Sequence, residues 1–338
     1  MKIIVDAMGG DNAPVEIVKG AVSAAKARPE LEIALVGREA EVLAALERAG
    51  GAPGNVSVVN ASEVIDMHDN PATAFRLKKD SSITVGLNLL RDGEGDAFVS
   101  AGSTGALLSA GTLIVKRIKG IRRAAFSPVI PTAGNGAVLI DCGANAECSV
   151  EYLTQFAYIG SYYARRVMGL EQPRVGLLNI GSEEGKGDQL RQDTYQVLRA
   201  AGDAGHLNFI GNIEAKEAVK GGCDVIVTDG FTGNVMLKTI EGVGSFMGGE
   251  LKGMFMENLG TKAAALLVKK GLDRFKETLN PDRVGGTPFL GLTRPVIKAH
   301  GASGARAIEN AIRQAWTVAG SGLAEDIEAH IGLMKPER

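Results

Sequence analysis

The chain opens with Lys2-Ile3-Ile4-Val5-Asp6-Ala7-Met8-Gly9-Gly10-Asp11-Asn12, a short apolar run that ends at a carboxylate and continues into a glycine-rich turn. A short apolar run bounded by turn residues is typical of a buried strand. Residues 14–28, behind the turn, have their apolar side chains at helical spacing. A buried strand that leads through a glycine turn into a helix is the repeating unit of parallel α/β folds. The opening residues therefore predict an α/β fold.

The same pattern of strand, turn and helix recurs along much of the chain. Strands are predicted at residues 2–6, 31–37, 56–60, 96–100, 136–141, 174–179, 207–211, 224–229 and 295–299. Helices are predicted at residues 14–28, 39–49, 72–91, 189–201 and 303–320. This alternation predicts a mostly parallel sheet that helices cover on both faces.

Residues 233–280 differ, because they have helical spacing with scattered glycines and no convincing strand. We interpret residues 1–338 as a single α/β domain with a helical excursion at residues 240–285, although two lobes that share a cleft fit the pattern as well. Apolar residues, among them Leu259 and Leu266, recur through the excursion beside lysines and arginines. Such a helix can lie in a membrane interface, or it can pack in a core or a dimer contact.

Charge and cysteine content argue against several classes of protein. The 37 basic and 39 acidic side chains give a formal net charge of −2, which lacks the basic footprint of a nucleic-acid partner. The three cysteines form no Cys-x-x-Cys pair and have no histidine at metal-ligand spacing, so we expect free thiols and no metal site. No apolar run suits a signal peptide or a membrane span. We therefore expect a soluble, cytoplasmic protein.

Polar, glycine-rich loops follow most of the predicted strands. They lie at residues 6–12, 100–107, 141–145, 179–187, 211–214 and 229–234. Ligands of open α/β sheets bind outside the carboxyl ends of the strands. Any one of these loops fits ordinary turn chemistry, but six that meet at one edge indicate a binding site.

The loop at residues 100–105 is the best candidate for binding phosphate. Its candidate ligands are Ser100, Gly102, Ser103, Thr104 and Gly105. Glycines let the backbone approach an anion, hydroxyls add donors, and the helix N-terminus behind them carries a positive dipole. The alternative is an ordinary helix start with Ser103 or Thr104 as its cap.

Lys186 lies in a glycine-rich loop that resembles a Walker A loop but is one residue too short and lacks the Ser or Thr after the lysine. The loop argues against an ATPase, yet it places a lysine where it can meet an anion. A solvated surface lysine is the alternative. Arg76 and Lys79 share one face of the predicted helix 72–91, where they can hold phosphate, dock an acidic carrier protein or simply be solvated.

Two common enzyme signatures are missing from the sequence. No Gly-x-Gly-x-x-Gly follows the first strand, which argues against a nicotinamide-dependent dehydrogenase. No Gly-x-Ser-x-Gly elbow is present, which argues against an α/β-hydrolase.

Taken together, the motifs resemble the bacterial acyl-carrier-protein:phosphate acyltransferases of phospholipid synthesis. The matching pieces are residues 5–11, 69–71, 76–82, 100–107, 141–145, 179–187, 211–214, 229–238 and 298–301. Residues 229–238, which read DGFTGNVMLK, are the most distinctive. Ser103 and Glu147 stand where the family commonly has Asn and Asp, and residues 286–291 form a variant loop, so the shape of the pocket is in question more than the activity.

The resemblance implies a three-layer α/β/α sandwich related to phosphotransacetylases and to isocitrate and isopropylmalate dehydrogenases. It implies a homodimer, without metal or organic cofactor, that transfers a fatty acyl group from acyl carrier protein to inorganic phosphate. It also implies that the acyl phosphate passes to a membrane-bound glycerol-3-phosphate acyltransferase. A peripheral position at the inner face of the cell membrane, with Leu259 and Leu266 as contacts, would suit such an enzyme.

The proposed reaction needs little acid or base catalysis. Phosphate is already an anion, and a thiol with a pKa of about 8.5 is a good leaving group. Holding the anion against the carbonyl and stabilising the oxyanion are the remaining tasks. We expect loop 100–105 to hold phosphate and Lys186 to neutralise it or polarise the carbonyl. Asn234 and His300 would donate hydrogen bonds, and Asp229 would orient one of these partners.

Two other functions fit the same loops. A short-chain phosphotransacetylase would use acyl-CoA in place of the carrier protein. A non-catalytic, membrane-associated scaffold would bind carrier protein without turnover, although so many polar loops at strand ends argue against it.

Overall fold

The computed structural model describes residues 1–279 and 285–335. Its strands are β1 (Lys2–Asp6), β2 (Glu32–Gly37), β3 (Val56–Asn60), β4 (Ala97–Ser100), β5 (Ala125–Phe126), β6 (Val129–Ile130), β7 (Ala137–Ile140), β8 (Arg174–Leu178), β9 (Asn208–Ile213), β10 (Val225–Val227), β11 (Thr287–Leu290) and β12 (Val296–Lys298).

The strands form two sheets. The first sheet has seven strands in the order β3-β2-β1-β4-β12-β11-β5, in which only β11 runs antiparallel to its neighbours. The second has five strands in the order β6-β7-β10-β8-β9, in which only β6 pairs antiparallel. The predicted α/β fold with mostly parallel pairing is confirmed, but the single sheet is corrected to two. The chain passes from one sheet to the other at residues 127 and 128, between two-residue strands too short to show in the sequence pattern.

Helices connect the strands and cover the sheets. They are α1 (Val15–Ala27), α2 (Glu39–Arg48), α3 (Ala74–Leu77), α4 (Ser82–Arg91), α5 (Thr104–Ala110), α6 (Val150–Arg166), α7 (Gln189–Asp203), α8 (Ala215–Val219), α9 (Gly230–Met256), α10 (Leu259–Leu267), α11 (Lys269–Leu279), α12 (Ala305–Ala319) and α13 (Leu323–Ala329). A π-helical turn, Gly111–Val115, continues α5, and a 3₁₀ turn, Ile331–Met334, follows α13.

The predicted helix 72–91 is interrupted, and this changes the position of Lys79. Helix α3 ends at Leu77, and α4 begins at Ser82 because the Ser81 side chain accepts a hydrogen bond from the Thr84 amide and caps it. Ser81 also bridges Glu63 in parallel pairing. Arg76 and Lys79 therefore do not share a helix face, and that prediction is wrong.

Both sheets contribute to one hydrophobic core. Buried residues of the first sheet, such as Val5 and Val99, and of the second, such as Ile140 and Val227, belong to the same cluster. Helix α6 also contributes, because its Tyr163 is fully buried there. The shared core holds the two sheets against each other.

The described part of the predicted excursion is mostly helical, with short breaks at residues 257–258 and 268 between helices α9, α10 and α11. Residues 280–284 lie outside the described residues. These helices expose a series of large apolar side chains: Phe231, Val235, Val243, Phe246, Met247, Met254, Met256, Leu259, Leu266, Leu267, Val268 and Phe275. Large exposed apolar surfaces are typical of contacts with another protein or with a membrane.

Candidate active site

Three loops meet at the carboxyl edge of the first sheet, after strands β1, β4 and β12. The Asp11 amide donates to the Gly301 carbonyl at 2.8 Å. A Cβ atom at Gly9 would lie 2.7 Å from the Gly102 amide nitrogen, and one at Gly10 would lie 2.9 Å from the Gly301 oxygen. Gly10 also has φ +98°, which favours glycine. Glycine at both positions thus lets the three backbones touch.

Ser100 organises this edge through a buried carboxylate. Its hydroxyl donates to Asp6 Oδ2 at 2.6 Å and accepts from the Gly102 amide at 3.0 Å. Burial raises the pKa of Asp6, while hydrogen bonds from Ser100, Ser82 and Met8 oppose the shift. The Ser100 hydroxyl thus already donates its proton to Asp6. Ser100 supports the loop and has no proton left to donate to a ligand. Sequence reasoning missed Asp6 as a site residue, although a carboxylate that closes an apolar strand was a usable signal.

Ser103 caps α5, as the alternative interpretation of this loop expected. Its Oγ accepts from the Ala106 amide at 3.5 Å, and the residue is buried. Because the cap uses the oxygen as an acceptor, the hydroxyl proton can still be donated. Thr104 is exposed, and a Cβ at Gly105 would lie 3.0 Å from Pro71. The loop therefore combines a helix start with a buried Ser103 hydroxyl that can donate and an exposed Thr104 hydroxyl.

Lys298, at the end of β12, is a buried cation at this edge. Its Nζ donates to the Ala101 oxygen at 3.3 Å and to the Ala299 oxygen. Burial lowers the pKa of Lys298 to about 8, although the charges of Asp6 and Asp11 act in the opposite direction. Sequence reasoning quoted Lys298 only as part of a motif. The missed signal is a lone lysine at the carboxyl end of an otherwise apolar strand.

His300 follows two residues later and is exposed. Its Nδ1 accepts from the Ala302 amide at 3.2 Å, which fixes the ring at the rim of the three loops. The structure thus places His300 beside the predicted phosphate loop.

Lys186 lies at the edge of the second sheet, in a loop that amide side chains hold in place. Asn179 Nδ2 donates to the Lys186 oxygen at 3.0 Å, and Asn212 Nδ2 donates to the Glu183 oxygen at 2.8 Å. Lys186 Nζ lies 3.9 Å from Glu183 Oε1, and about half of its side chain is exposed. Such an exposed ion pair is weak, so the ammonium can exchange Glu183 for a bound anion.

Asp229 caps α9 and does not contact Asn234 or His300, so its predicted orienting role is corrected. Its carboxylate accepts from the Thr232 amide at 2.9 Å, from the Thr232 hydroxyl at 2.8 Å and from Arg191. Burial alone would raise the pKa of Asp229, but these hydrogen bonds and the Arg191 charge lower it. Arg191 is a mostly buried partner that the sequence did not reveal, because it lies in an ordinary polar helix pattern.

Asn234 is exposed on the second turn of α9 and lies over the loop that follows β7. A Cβ at Gly143 would be 3.7 Å from its side-chain atoms. Asp141, at the start of that loop, accepts from the Cys142 and Asn145 amides and from the Phe126 amide of the first sheet. Burial raises the pKa of Asp141. This carboxylate therefore ties the second-sheet loop to the first sheet.

The predicted site residues fall into two groups, one at each sheet edge. Loop 100–105 and His300 lie at the first edge, and Lys186, Asp229 and Asn234 lie at the second. Within the described ranges, no hydrogen bond or ion pair joins loop 100–105 to loop 179–187. Helix α9 connects the groups electrostatically, because the Lys238 charge acts on Lys298. That these two edges form the walls of one cleft stays a prediction.

Comparison with known proteins identifies the family. A family model described as "Fatty acid synthesis protein" matches residues 1–326. A "Phosphate acyltransferase" of Caldanaerobacter subterraneus subsp. tengcongensis is 44% identical over 337 residues, which cover 100% of this chain and 99% of the relative. The chain belongs to the phosphate acyltransferase family. It is an acyltransferase.

Solved structures show the same fold at low identity. A phosphotransacetylase from Streptococcus pyogenes matches with a TM-score of 0.63 and 20% identity, covering 94% of each chain. A 4-hydroxythreonine-4-phosphate dehydrogenase from Burkholderia phymatum matches with a TM-score of 0.50 and 14% identity, covering 100% of this chain and 99% of that one. The predicted relation of the fold to phosphotransacetylases and dehydrogenases is confirmed.

The length and apolar character of the helices decide whether one of them could cross a membrane. Among the helices of residues 1–279 and 285–335, none has both the length and the apolar character needed to cross a bilayer.

Proposed function

We propose that this acyltransferase moves a fatty acyl group from acyl carrier protein to inorganic phosphate, giving an acyl phosphate for phospholipid synthesis. The observation that carries the proposal is the first-sheet edge, where three backbones meet beside Ser103 and the buried Lys298. A desolvated cation beside a hydroxyl that can still donate, at the start of a helix, suits a small oxyanion such as phosphate.

The two walls divide the chemistry. Phosphate would bind at the first-sheet edge, against the loop 100–105 backbone, the Ser103 hydroxyl and the Lys298 ammonium. Lys186 and Asn234 of the second wall would donate to the thioester carbonyl as it becomes an oxyanion. A phosphate oxygen forms the new C–O bond, the C–S bond breaks, and the carrier leaves as its thiolate. One well-placed oxyanion donor is worth about 2.7–4 kcal/mol, so the residues present suffice without a covalent acyl-enzyme.

Partners follow from the same proposal. The donor is acyl carrier protein, and the acyl phosphate would pass to a membrane-bound glycerol-3-phosphate acyltransferase. The exposed apolar face of α9–α11 would serve a homodimer contact or a peripheral contact with the membrane, with Leu259 and Leu266 among its residues.

The decisive experiment measures release of free carrier thiol from an acylated carrier protein. We expect release that depends on inorganic phosphate and yields one acyl phosphate per thiol. Lys186→Ala should lower turnover by about a hundredfold or more, because it removes an oxyanion donor. Lys220→Ala is the matched control, since Lys220 is also an exposed lysine paired at i,i+3, with Glu217. Thiol release that ignores phosphate would refute the proposal.

A short-chain phosphotransacetylase is the second candidate, favoured by the fold shared with the Streptococcus pyogenes protein. It predicts higher kcat/KM for acetyl-CoA than for long-chain acyl carrier protein. Comparing the two donors in the same assay separates the candidates.

A further inference from the structure

Residues 66–79, here called the docking segment, expose apolar and cationic side chains together. The relative exposure is 73% for Met67 and 77% for Leu77, and Arg76 and Lys79 are exposed beside Leu77. Within the described residues, neither Arg76 nor Lys79 forms an ion pair with a carboxylate. The Arg76 guanidinium lies over the Phe75 ring, with its Cζ atom 5.4 Å from the ring centroid. Among the nearby carboxylates, Asp69 pairs with Lys78 at 2.5 Å and Asp80 accepts from Ser62, while Asp66 is exposed and lies 3.9 Å from Lys78.

The docking segment is attached directly to the candidate phosphate loop. Its Pro71 packs on Gly105, the second residue of α5. Thr84 of α4 donates to the Phe75 and Lys78 carbonyls at 3.3 and 3.1 Å, which braces the end of α3. A partner bound to this segment would therefore be held at a fixed place relative to the site.

A groove of about 480 Å³ is lined by residues of both the docking segment and the loop after β1. Its lining includes Met8, Gly10, Ala13, Arg38, Ser62, Glu63, Val64, Asp66 and Lys78. Most of these groups are polar. Such a wall suits a thin chain of amide and hydroxyl groups better than a hydrocarbon tail.

We propose that the docking segment binds an acidic carrier protein and that the carrier's pantetheine arm lies in this groove with its thioester near Gly10. The inference rests on the proposed function and assigns its donor a binding surface. Leu77 and Met67 supply apolar contact, while Arg76 and Lys79 supply charge complementary to an acidic partner.

A second basic segment, residues 116–123, is the main competitor. It contains Lys116, Arg117, Lys119, Arg122 and Arg123. This segment follows α5 and the π turn, which together have twelve residues. At about 1.5 Å of rise per helical residue, the segment begins about 18 Å from Ser103. Its Arg122 is already paired with Glu151 at 2.8 Å. The distance from Ser103 and the pairing of Arg122 both favour the docking segment as the surface that binds the carrier protein.

The test compares two donors in the full-length enzyme. The double variant Arg76→Glu, Lys79→Glu should raise KM for acyl carrier protein about tenfold or more, because charge reversal weakens encounter and binding. Its kcat/KM for acyl-pantetheine, which lacks the protein part, should stay within twofold of the parent. The double variant Lys26→Glu, Arg48→Glu is the control, since it changes net charge equally at the last turns of α1 and α2. Leu77→Asp should act like the first variant.

Affinity for unacylated carrier protein is measured separately by calorimetry, so that docking is judged even without turnover. The proposal predicts loss of affinity in the Arg76/Lys79 variant and not in the control. Unchanged affinity and unchanged KM in the Arg76/Lys79 variant would overturn the proposal. An equal loss of kcat/KM with acyl-pantetheine would also overturn it. So would a loss of carrier affinity that occurs only in the double variant Lys116→Glu, Lys119→Glu. If the parent enzyme binds carrier but releases no thiol with phosphate, the proposed function fails while the docking surface stands.

Discussion

Lys298 controls the charge of the first-sheet edge near neutral pH. Because burial lowers the pKa of Lys298 to about 8, the side chain is mostly protonated below that pH and mostly neutral above it. The fold therefore favours the neutral lysine. Between pH 8 and the ordinary lysine value the unfolded chain binds a proton that the native chain lacks, so Lys298 makes stability increase as pH rises through this range.

The same titration should appear in phosphate binding. As pH rises through 8, KM for phosphate should increase in the parent enzyme, because the site loses a cation. Lys298→Met should have a higher KM below pH 8, should approach the parent above it and should show no inflection near 8, while Lys298→Arg should keep its cation and also lack the inflection. The titration of phosphate itself is the same in all three assays. A difference between their pH profiles of KM therefore reports on residue 298. Parallel pH profiles for the parent and Lys298→Met would exclude this role.

At the scale of elements, helices α1 and α12 are in close contact. Gly20 of α1 faces the start of α12, where a Cβ would lie 2.5 Å from the Ala305 oxygen and 2.7 Å from Ile308 Cβ. The contact holds α12 behind the loop that carries His300. Glycine is required here by close approach of two backbones.

Gly20→Ala should therefore destabilise the protein by about 1–3 kcal/mol, because the helices must move apart. Gly249→Ala on α9 is the matched control, since nothing lies within 4 Å of its Cβ position. The control should be neutral or stabilising by about 0.5–1 kcal/mol, as alanine restricts the unfolded chain. Urea unfolding of both variants decides the point, and equal stabilities would mean that the helices repack at no cost.

The elements that the sequence predicts well are those with a long, regular hydrophobic pattern. Strands β1, β2 and β4 and helices α1 and α12 lie where periodicity placed them. Strands β5 and β6 have two residues each, which is too short for a hydrophobic period to be recognised. The division into two sheets was therefore not predicted. The end of α3 was missed because it depends on Ser81 bridging Glu63, a contact distant in sequence. The glycine loops of the site were found from composition. Lys298 had a sequence signal, its place at the end of an apolar strand, whereas its burial and the pairing of Arg191 with Asp229 emerge only on folding.

On the scale of the whole molecule, the excursion is the part that does not pack inward. Leu259, Leu266 and Leu267 are among its most exposed side chains. Lys262 lies between them in sequence, and Lys269, Lys270 and Arg274 follow. An apolar surface with basic residues suits an anionic membrane surface. The alternative is burial against a second copy of the chain.

Leu259→Glu together with Leu266→Glu should abolish sedimentation with anionic liposomes while leaving turnover of soluble donors unchanged, because both residues lie far along the excursion from the site loops. Leu43→Glu is the control, since Leu43 is also exposed but lies on α2. Light scattering of the same variants reports the oligomer. Retained sedimentation with a shift to monomer would assign the surface to a dimer.

The two walls of the predicted cleft belong to different sheets. In the part of the chain described, no hydrogen bond or ion pair joins loop 100–105 to loop 179–187. Free-energy coupling between such separated positions is normally small unless something connects them. In the proposed reaction, that connection would be the reacting molecule itself. Under this proposal each wall is open to independent engineering, one for the acceptor anion and the other for the acyl donor.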